Sequence, residues 1–134
     1  MPNRRDLLKL TLLATIPANA AEKLSNSTKK AAEAAVTHEP FGELRIYYDG
    51  PTDQLSAMTA GSLRLKPGMT PHPPHQHPEE EFMVITEGSG EISVEGKVTK
   101  VSGGSMMYCA AGKLHGIVNT GKTPLLFYFY KWKR

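Results

Sequence analysis

The chain has 134 residues, of which 40% are hydrophobic and 22% charged, as in ordinary globular proteins. This length suffices for one domain with its own core and leaves little room for a second. The net charge is only +3, and no basic stripe is interleaved with aromatic residues, so we expect no nucleic-acid partner.

Residues 1–20 carry the three parts of a secretory signal. The pair Arg4-Arg5 opens a basic segment, residues 10–16 are mostly apolar, and residues 18–20 (Ala-Asn-Ala) form a small-residue cleavage site. The basic segment resembles the twin-arginine export signal of bacteria, which implies an exported, periplasmic protein cleaved near Ala20. The apolar stretch is well short of the ~20 residues that a spanning helix needs, so we expect no stable membrane span. The general secretory route and an amphipathic helix packed on the domain remain open as alternatives.

Residues 21–39 are rich in Ala, Lys, Ser and Glu, and their only large aliphatic side chains are Leu24 and Val36. Such a segment has little apolar surface to bury, so it predicts a linker or a short, loosely docked helix. We expect His38, near its end, to be solvated.

Alternating apolar residues and closely spaced Gly and Pro take over after residue 40. The alternation predicts short strands, with Leu44, Ile46 and Tyr48 on one face of the first. Glu95-Gly96 predicts a two-residue hairpin turn. About eight short strands without helical crossovers predict an all-β domain over residues 40–134, either a sandwich or an antiparallel barrel. The predicted strands are 42–49, 55–65, 81–87, 91–94, 97–101, 105–109, 114–118 and 125–132.

Three of the five histidines lie within residues 72–77. His75 and His77 are two apart, so both side chains leave the same face of an extended segment. Glu81 keeps this parity if the chain stays extended through Pro78. Two imidazoles and one carboxylate on one face are candidate ligands for a single metal ion.

Two segments have characteristic spacings. The first is His75-x-His77, three residues, Glu81, six residues and Gly88; the second is Gly104, five residues, Ala110-x-Gly112, two residues, His115, three residues and Asn119. Together they resemble the paired motifs of the cupin superfamily, a likeness that extends over residues 61–132. Two departures occur: six residues instead of the usual five separate Gly68 from His75, and Ala110 stands where the family usually has proline. Neither departure removes a candidate ligand.

The resemblance implies a small antiparallel β-barrel of the jelly-roll type that holds one divalent transition metal through His75, His77, Glu81 and His115. Neutral imidazole with carboxylate suits several borderline divalent metals. Mn or Fe is favoured, while Ni, Co, Cu or Zn also fit this ligand set. Glu81 is in addition a candidate general base.

Several further residues are candidates for the pocket beside the metal. Met83 and Ile85 continue the inward parity of Glu81, which predicts a mainly apolar cavity. His72 lies outside that parity and is expected in a loop at the pocket mouth, and Tyr108 is a candidate lining residue.

The single cysteine and the basic end of the chain suggest less specific roles. Because Cys109 is the single cysteine, no intramolecular disulfide can form; its apolar neighbours favour a buried, inert thiol, with a catalytic thiol as the alternative.

Three of the 16 basic and one of the 13 acidic side chains lie in residues 1–20, so the remainder of the chain is nearly neutral. Residues 131–134 (Lys-Trp-Lys-Arg) are therefore interpreted as a solvated tail, with a phosphate-binding cluster as the alternative.

Two classes of function remain open, because the fold alone does not decide between them. The first is a mononuclear metal-dependent oxygenase or isomerase acting on a small oxygen-bearing molecule, which the complete ligand set favours. The second is a non-catalytic module that binds a small molecule through a metal or sequesters the metal. Its support is that no second catalytic group, such as a lysine or arginine, is identified by motif. The strand predicted at 125–132 is apolar on both faces and suits a homodimer.

Overall fold

The computed structural model of the chain describes residues 22–134. The predicted export signal and its cleavage site near Ala20 lie outside this range. Within the described range, no helix has the length and apolar character needed to cross a membrane.

The described chain folds into nine β-strands and one short 3-10 helix, so the all-β prediction is confirmed. All the strands that the alternation predicted are present, most with ends shifted by one or two residues. The 3-10 helix is Ala31–Glu33, and the strands are β1 (Ala35–Glu39), β2 (Gly42–Gly50), β3 (Ala57–Leu65), β4 (Glu80–Glu87), β5 (Ser89–Val94), β6 (Lys97–Ser102), β7 (Met106–Cys109), β8 (His115–Val118) and β9 (Leu125–Lys133).

The strands form two antiparallel sheets that enclose one core, as in the predicted barrel. The larger sheet has the order β1-β2-β3-β9-β4-β7, and the smaller sheet has the order β6-β5-β8. Alternate residues of both sheets point inward, which is why the apolar alternation identified the strands. The most deeply buried side chains of this core are Leu65, Ile85 and Leu125, each with no exposed surface.

Strand β1 differs from the linker or short helix predicted for residues 21–39. Residues Ala31–Glu33 do form a short 3-10 helix, but Ala35–Glu39 pair in antiparallel register with β2. The strand is a sheet edge and buries none of its side chains fully; Val36 is 40% exposed. Backbone hydrogen bonds to β2 stabilise it, so it can form without an apolar stripe. The prediction of a linker or short helix depended on the lack of such a stripe. His38 in this strand is exposed, as expected.

A β-bulge in β2 changes which side chains point inward. Ile46 pairs with Gly61 and Tyr48 pairs with Ala60, so one extra residue, Tyr47, is inserted between them. Because Gly61 and Ala60 are consecutive, Ile46 and Tyr48 face opposite sides of the sheet. The predicted common face therefore holds for Leu44 and Ile46 but not for Tyr48.

The turns between the strands match their residues. Glu95 and Gly96 both have positive φ, 51° and 80°, as the predicted two-residue turn between β5 and β6 requires. Gly88, with φ of 82°, closes β4; a Cβ atom there would lie 2.4 Å from the carbonyl oxygen of Pro124. Only glycine fits this close approach to the start of β9.

Candidate metal centre

The loop before β4 and the first residue of β8 are joined by backbone hydrogen bonds. His75 and His115 exchange two of them, each 2.9 Å long, and form an isolated antiparallel bridge. The N–H of Gly112 donates to the carbonyl of His77 at 2.8 Å. These bonds hold the two sequence motifs against each other, although 40 positions of the chain separate His75 from His115.

Three imidazoles converge at this junction. Ligand nitrogens of His75, His77 and His115 all lie within 4.8 Å of one another. The ring centroids are 4.8 to 5.1 Å apart and the rings are close to perpendicular, an arrangement in which each ring directs an edge at the others. His115 is 1% exposed, while His75 and His77 are half-buried. The three side chains form a cluster that could hold a metal ion.

Backbone carbonyl groups fix the orientation of two of these rings. Nδ1 of His77 lies 3.1 Å from the carbonyl oxygen of Glu79, and Nδ1 of His115 lies 3.0 Å from that of Lys113. A carbonyl oxygen only accepts hydrogen bonds, so in both rings Nδ1 carries the proton and donates. Nε2 of each ring is therefore the free nitrogen, and it points into the cluster. This is the arrangement by which proteins usually orient histidine ligands.

Glu81, at the start of β4, lies between these two Nε2 atoms. Its Oε1 is 2.9 Å from Nε2 of His77 and 3.2 Å from Nε2 of His115, and the residue is only 4% exposed. Burial alone would raise the pKa of Glu81, but the hydrogen bonds and charges of His115 and His77 outweigh it and lower that pKa. The carboxylate is therefore ionised in the folded chain at neutral pH.

The same contact acts in the opposite direction on His115. Its hydrogen bond with Glu81 raises the pKa of His115 above the ordinary 6.5, against the effects of burial and of the nearby Lys131 charge. Without a metal ion, the folded protein thus favours a proton on Nε2 of His115. A metal ion and this proton compete for the same nitrogen.

His75 has the opposite preference, because burial comes first among the causes that lower its pKa to about 4, and the neighbouring histidines add to the effect. Its imidazole is neutral at any pH at which the domain is expected to work, as metal ligation requires. His72 stacks on it with ring centroids 3.7 Å apart and accompanies it at the pocket mouth, where the sequence placed it.

An apolar cavity of about 190 Å³ opens beside the cluster. Met83 and Phe129 face each other across β4 and β9 on its wall, and Glu81 and Lys131 form the next pair toward the mouth. The remaining lining residues are Phe41, Leu44, Leu63, Pro71, His72, His75, His77, Ile117 and Phe127.

Two residues predicted for the pocket lie elsewhere. Ile85 points inward as its parity predicted, but it is fully buried in the core below the cavity and does not line it. Tyr108 is 49% exposed on the outer face of β7, where its hydroxyl donates to Glu80 at 2.6 Å. The reason is register: Cys109 pairs with the inward-facing Glu81, so Tyr108 beside it must face outward.

Cys109 is a buried thiol, as its neighbours suggested, and it lies close to the cluster. Its Sγ atom is 3.4 Å from Nδ1 of His115, on the side of the ring away from Nε2. Burial raises the pKa of this thiol, so it stays protonated at neutral pH. Protonated and on the far side of the ring, the sulfur is not part of the ligand cluster.

Lys131 is a charged lining residue that the sequence did not identify. Residues 131–134 were interpreted as a solvated tail, but β9 extends to Lys133, and Lys131 pairs with both Glu81 and Thr59. Cross-strand partners share a face, so the lysine follows Glu81 into the barrel. Strand length and register, which the basic composition of the segment conceals, decide its position.

The donor set fits a divalent transition metal. Three nitrogens that lie within 4.8 Å of one another are all within about 2.8 Å of a common point, so each must shift by less than about 1 Å to bind one ion at about 2.1 Å. His77 and His115 already direct Nε2 into the cluster, and the buried Glu81 carboxylate contacts both nitrogens. Its role as a fourth ligand stays a prediction.

Fold and site together define a β-barrel protein with a histidine cluster that could hold a metal. Residues 61–130 match the cupin domain family, and the chain therefore belongs to that family. No curated protein sequence matches the chain significantly.

Solved structures share the fold at low sequence identity. An RmlC-like cupin from Shewanella frigidimarina superposes with a TM-score of 0.69 at 13% identity, over 84% of this chain and 96% of the other. KdgF from Halomonas sp. gives 0.67 at 20% identity, over 82% and 96%. TT1209 from Thermus thermophilus gives 0.61 at 21% identity, over 81% and 99%. At these identities the likeness establishes the architecture and not a common activity.

Proposed function

We propose that this cupin is a mononuclear metal-dependent enzyme, an oxygenase or isomerase that acts on a small oxygen-bearing molecule. The observation that carries the proposal is the convergence of three imidazoles and one buried carboxylate at the wall of an apolar cavity. Perturbed, mutually bonded titratable groups in a concave apolar site are typical of active sites.

His75, His77 and His115 hold the metal in this proposal, with Glu81 as the fourth ligand. A divalent metal bound there supplies Lewis-acid chemistry or oxygen activation. Mn or Fe is the proposed ion, because the ligands are nitrogen and oxygen and the only thiol, Cys109, faces the other side of His115.

The protein contributes orientation, water exclusion and a base. The apolar wall of Met83 and Phe129 excludes water from the space beside the cluster. Glu81 is ionised and buried beside the cluster, so its carboxylate can accept a proton from the substrate when it is not bound to the metal. The same carboxylate thus combines the roles of ligand and general base.

We further propose that the protein is exported and loaded with metal before export, as the twin-arginine-like pattern at Arg4-Arg5 predicts. Intrinsic affinity for N/O sites rises from Mn and Fe toward Cu, so a site filled outside the cell would take Cu or Zn. Loading in the cytoplasm would favour Mn or Fe. The predicted homodimer stays a prediction.

The test begins with elemental analysis of protein exported by its own signal, for which we expect close to one Mn or Fe per chain. That protein is then incubated under air with small hydroxyketones, thiols and catechols, while oxygen consumption and product formation are followed by electrode and NMR. Glu81→Gln should abolish the turnover. Glu80→Gln is the matched control, because this neighbouring carboxylate faces outward and bonds to Tyr108 and Trp132.

Two results contradict the proposal in different ways. Equal loss of turnover in both glutamine variants would remove Glu81 from its assigned role. A fully loaded protein that binds members of the panel at the metal but converts none of them is a binding module and not an enzyme.

A further inference from the structure

Lys131 brings a positive charge to a cavity whose walls are apolar apart from the histidines and Glu81. Three inward side chains of β9, Phe127, Phe129 and Lys131, lie opposite Ile85, Met83 and Glu81 of β4. The lysine thus ends the inward-facing row of β9 and lines the cavity next to Glu81. It is half-buried, with its stem against the cavity wall.

The ammonium group has no anionic partner in the described part of the chain. The basic side chains that form ion pairs there are Lys23, Arg45 and Arg64. Glu81, the cross-strand neighbour, is held by His77 and His115 instead. An ammonium that lines a cavity and has no ion-pair partner in the protein can pair with an anion that enters the cavity.

We infer that the cavity takes a small carboxylate, with the anion paired to Lys131 and the rest of the molecule directed toward the histidine cluster. The inference rests on the proposed function, whose substrate class it names. A volume of about 190 Å³ holds about six water molecules, so the ligand has only a few non-hydrogen atoms.

A carboxylate fits this environment better than a phosphate. It is small and singly charged, so the one ammonium of Lys131 neutralises it. A phosphate has about two charges and three strong acceptor oxygens. Apart from the histidines, Lys131 is the only cationic donor among the residues that line the cavity.

The test is calorimetric titration of the whole Mn(II)-loaded chain with glycolate and pyruvate and with their neutral amides, glycolamide and pyruvamide. A bound metal also prefers an anion, so the informative quantity is the change in the acid-to-amide affinity ratio on substitution. Lys131→Met removes the charge but keeps the stem, and we expect the ratio to fall about tenfold or more. Lys131→Arg should keep most of the acid-to-amide affinity ratio. Lys133→Met, at an exposed lysine of the same strand, is the matched control and should leave the ratio unchanged.

Each contrary result separates this inference from the proposed function. An unchanged ratio in Lys131→Met, or an equal fall in Lys133→Met, overturns the role of the lysine while metal binding stands. Tighter binding of inorganic phosphate than of either acid overturns the carboxylate class. A protein that binds no metal refutes the proposed function. The acid-to-amide affinity ratio is then measured by NMR titration of the metal-free chain, and its change in Lys131→Met still tests the role of the lysine.

Discussion

Replacing His77 by alanine should remove most of the stabilisation that a metal gives to this domain. His77 is the best ligand for this test, because it lies in a loop and is half-buried. His115 is 1% exposed, and its removal would leave a cavity beside Cys109 that destabilises the protein with or without metal. The change at His77 costs mainly its hydrogen bonds to Glu79 and Glu81, about 1–2 kcal/mol. That cost is the same in the metal-free and metal-loaded measurements and cancels in their difference.

The expected size of the effect follows from linkage. A metal at one hundred times its dissociation constant stabilises the folded state by about 2.7 kcal/mol. The described domain of about 110 residues has an unfolding entropy near 0.23 kcal/mol/K, so this corresponds to a rise in Tm of about 11 °C. If loss of one imidazole weakens binding about a hundredfold, the same metal concentration gives about 0.4 kcal/mol, or about 2 °C.

The assay is thermal unfolding of wild type, His77→Ala and His38→Ala with chelator and with added Mn(II), together with metal content by mass spectrometry. His38→Ala is the matched control, because that side chain is 79% exposed on the edge strand β1. It should keep the full rise in Tm and one metal per chain. If His77→Ala keeps both as well, the assignment of the cluster as the metal site is refuted.

Three further outcomes are expected. In chelator-treated protein the Tm advantage of wild type over Glu81→Gln should be largest between about pH 4.5 and 6.5. It should shrink as the pH falls through the lowered pKa of Glu81 or rises through the raised pKa of His115; a constant difference would contradict the ion pair. Asn119→Ala should lower the free energy of unfolding by about 3 kcal/mol in urea, because the buried amide serves three backbone groups; the exposed Asn26→Ala should lower it by less than about 0.5 kcal/mol. Changing Arg4 and Arg5 together to Lys should trap an uncleaved precursor in the cell, and normal export of that variant would exclude the twin-arginine route.

Most strands could be predicted because the larger sheet has one face on the core. Alternation of buried and exposed side chains marks β4, for example, where Glu81, Met83 and Ile85 are all buried. The edge strand β1 was missed because backbone pairing, and not burial, stabilises it. The reversal at Tyr48 comes from one inserted residue, which no periodicity reveals in advance.

The candidate site shows the same division between local pattern and long-range register. The histidines and Glu81 could be identified because their spacing within each motif is local. Their approach to His115 depends on backbone bonds between distant segments, and only the resemblance to a known family predicted it. The positions of Lys131 and Tyr108 depend on the pairing of β4 with β9 and β7. Without that register, an inward lysine looks like part of a charged tail.

The buried polar atoms of the cluster have hydrogen-bond partners within the protein. A metal that binds there has to replace some of these contacts. Every buried side-chain nitrogen and oxygen in the described part of the chain has a hydrogen-bond partner. Oε1 of Glu81 lies within hydrogen-bond distance of Nε2 of both imidazoles, and its contact with His115 favours a proton on that ring. The incoming ion must displace that proton, so its affinity rises with pH while the stability of the metal-free pair declines. Loading is thus set by competition between metal and proton at Nε2 of His115, and His75, already neutral, is available as a ligand throughout.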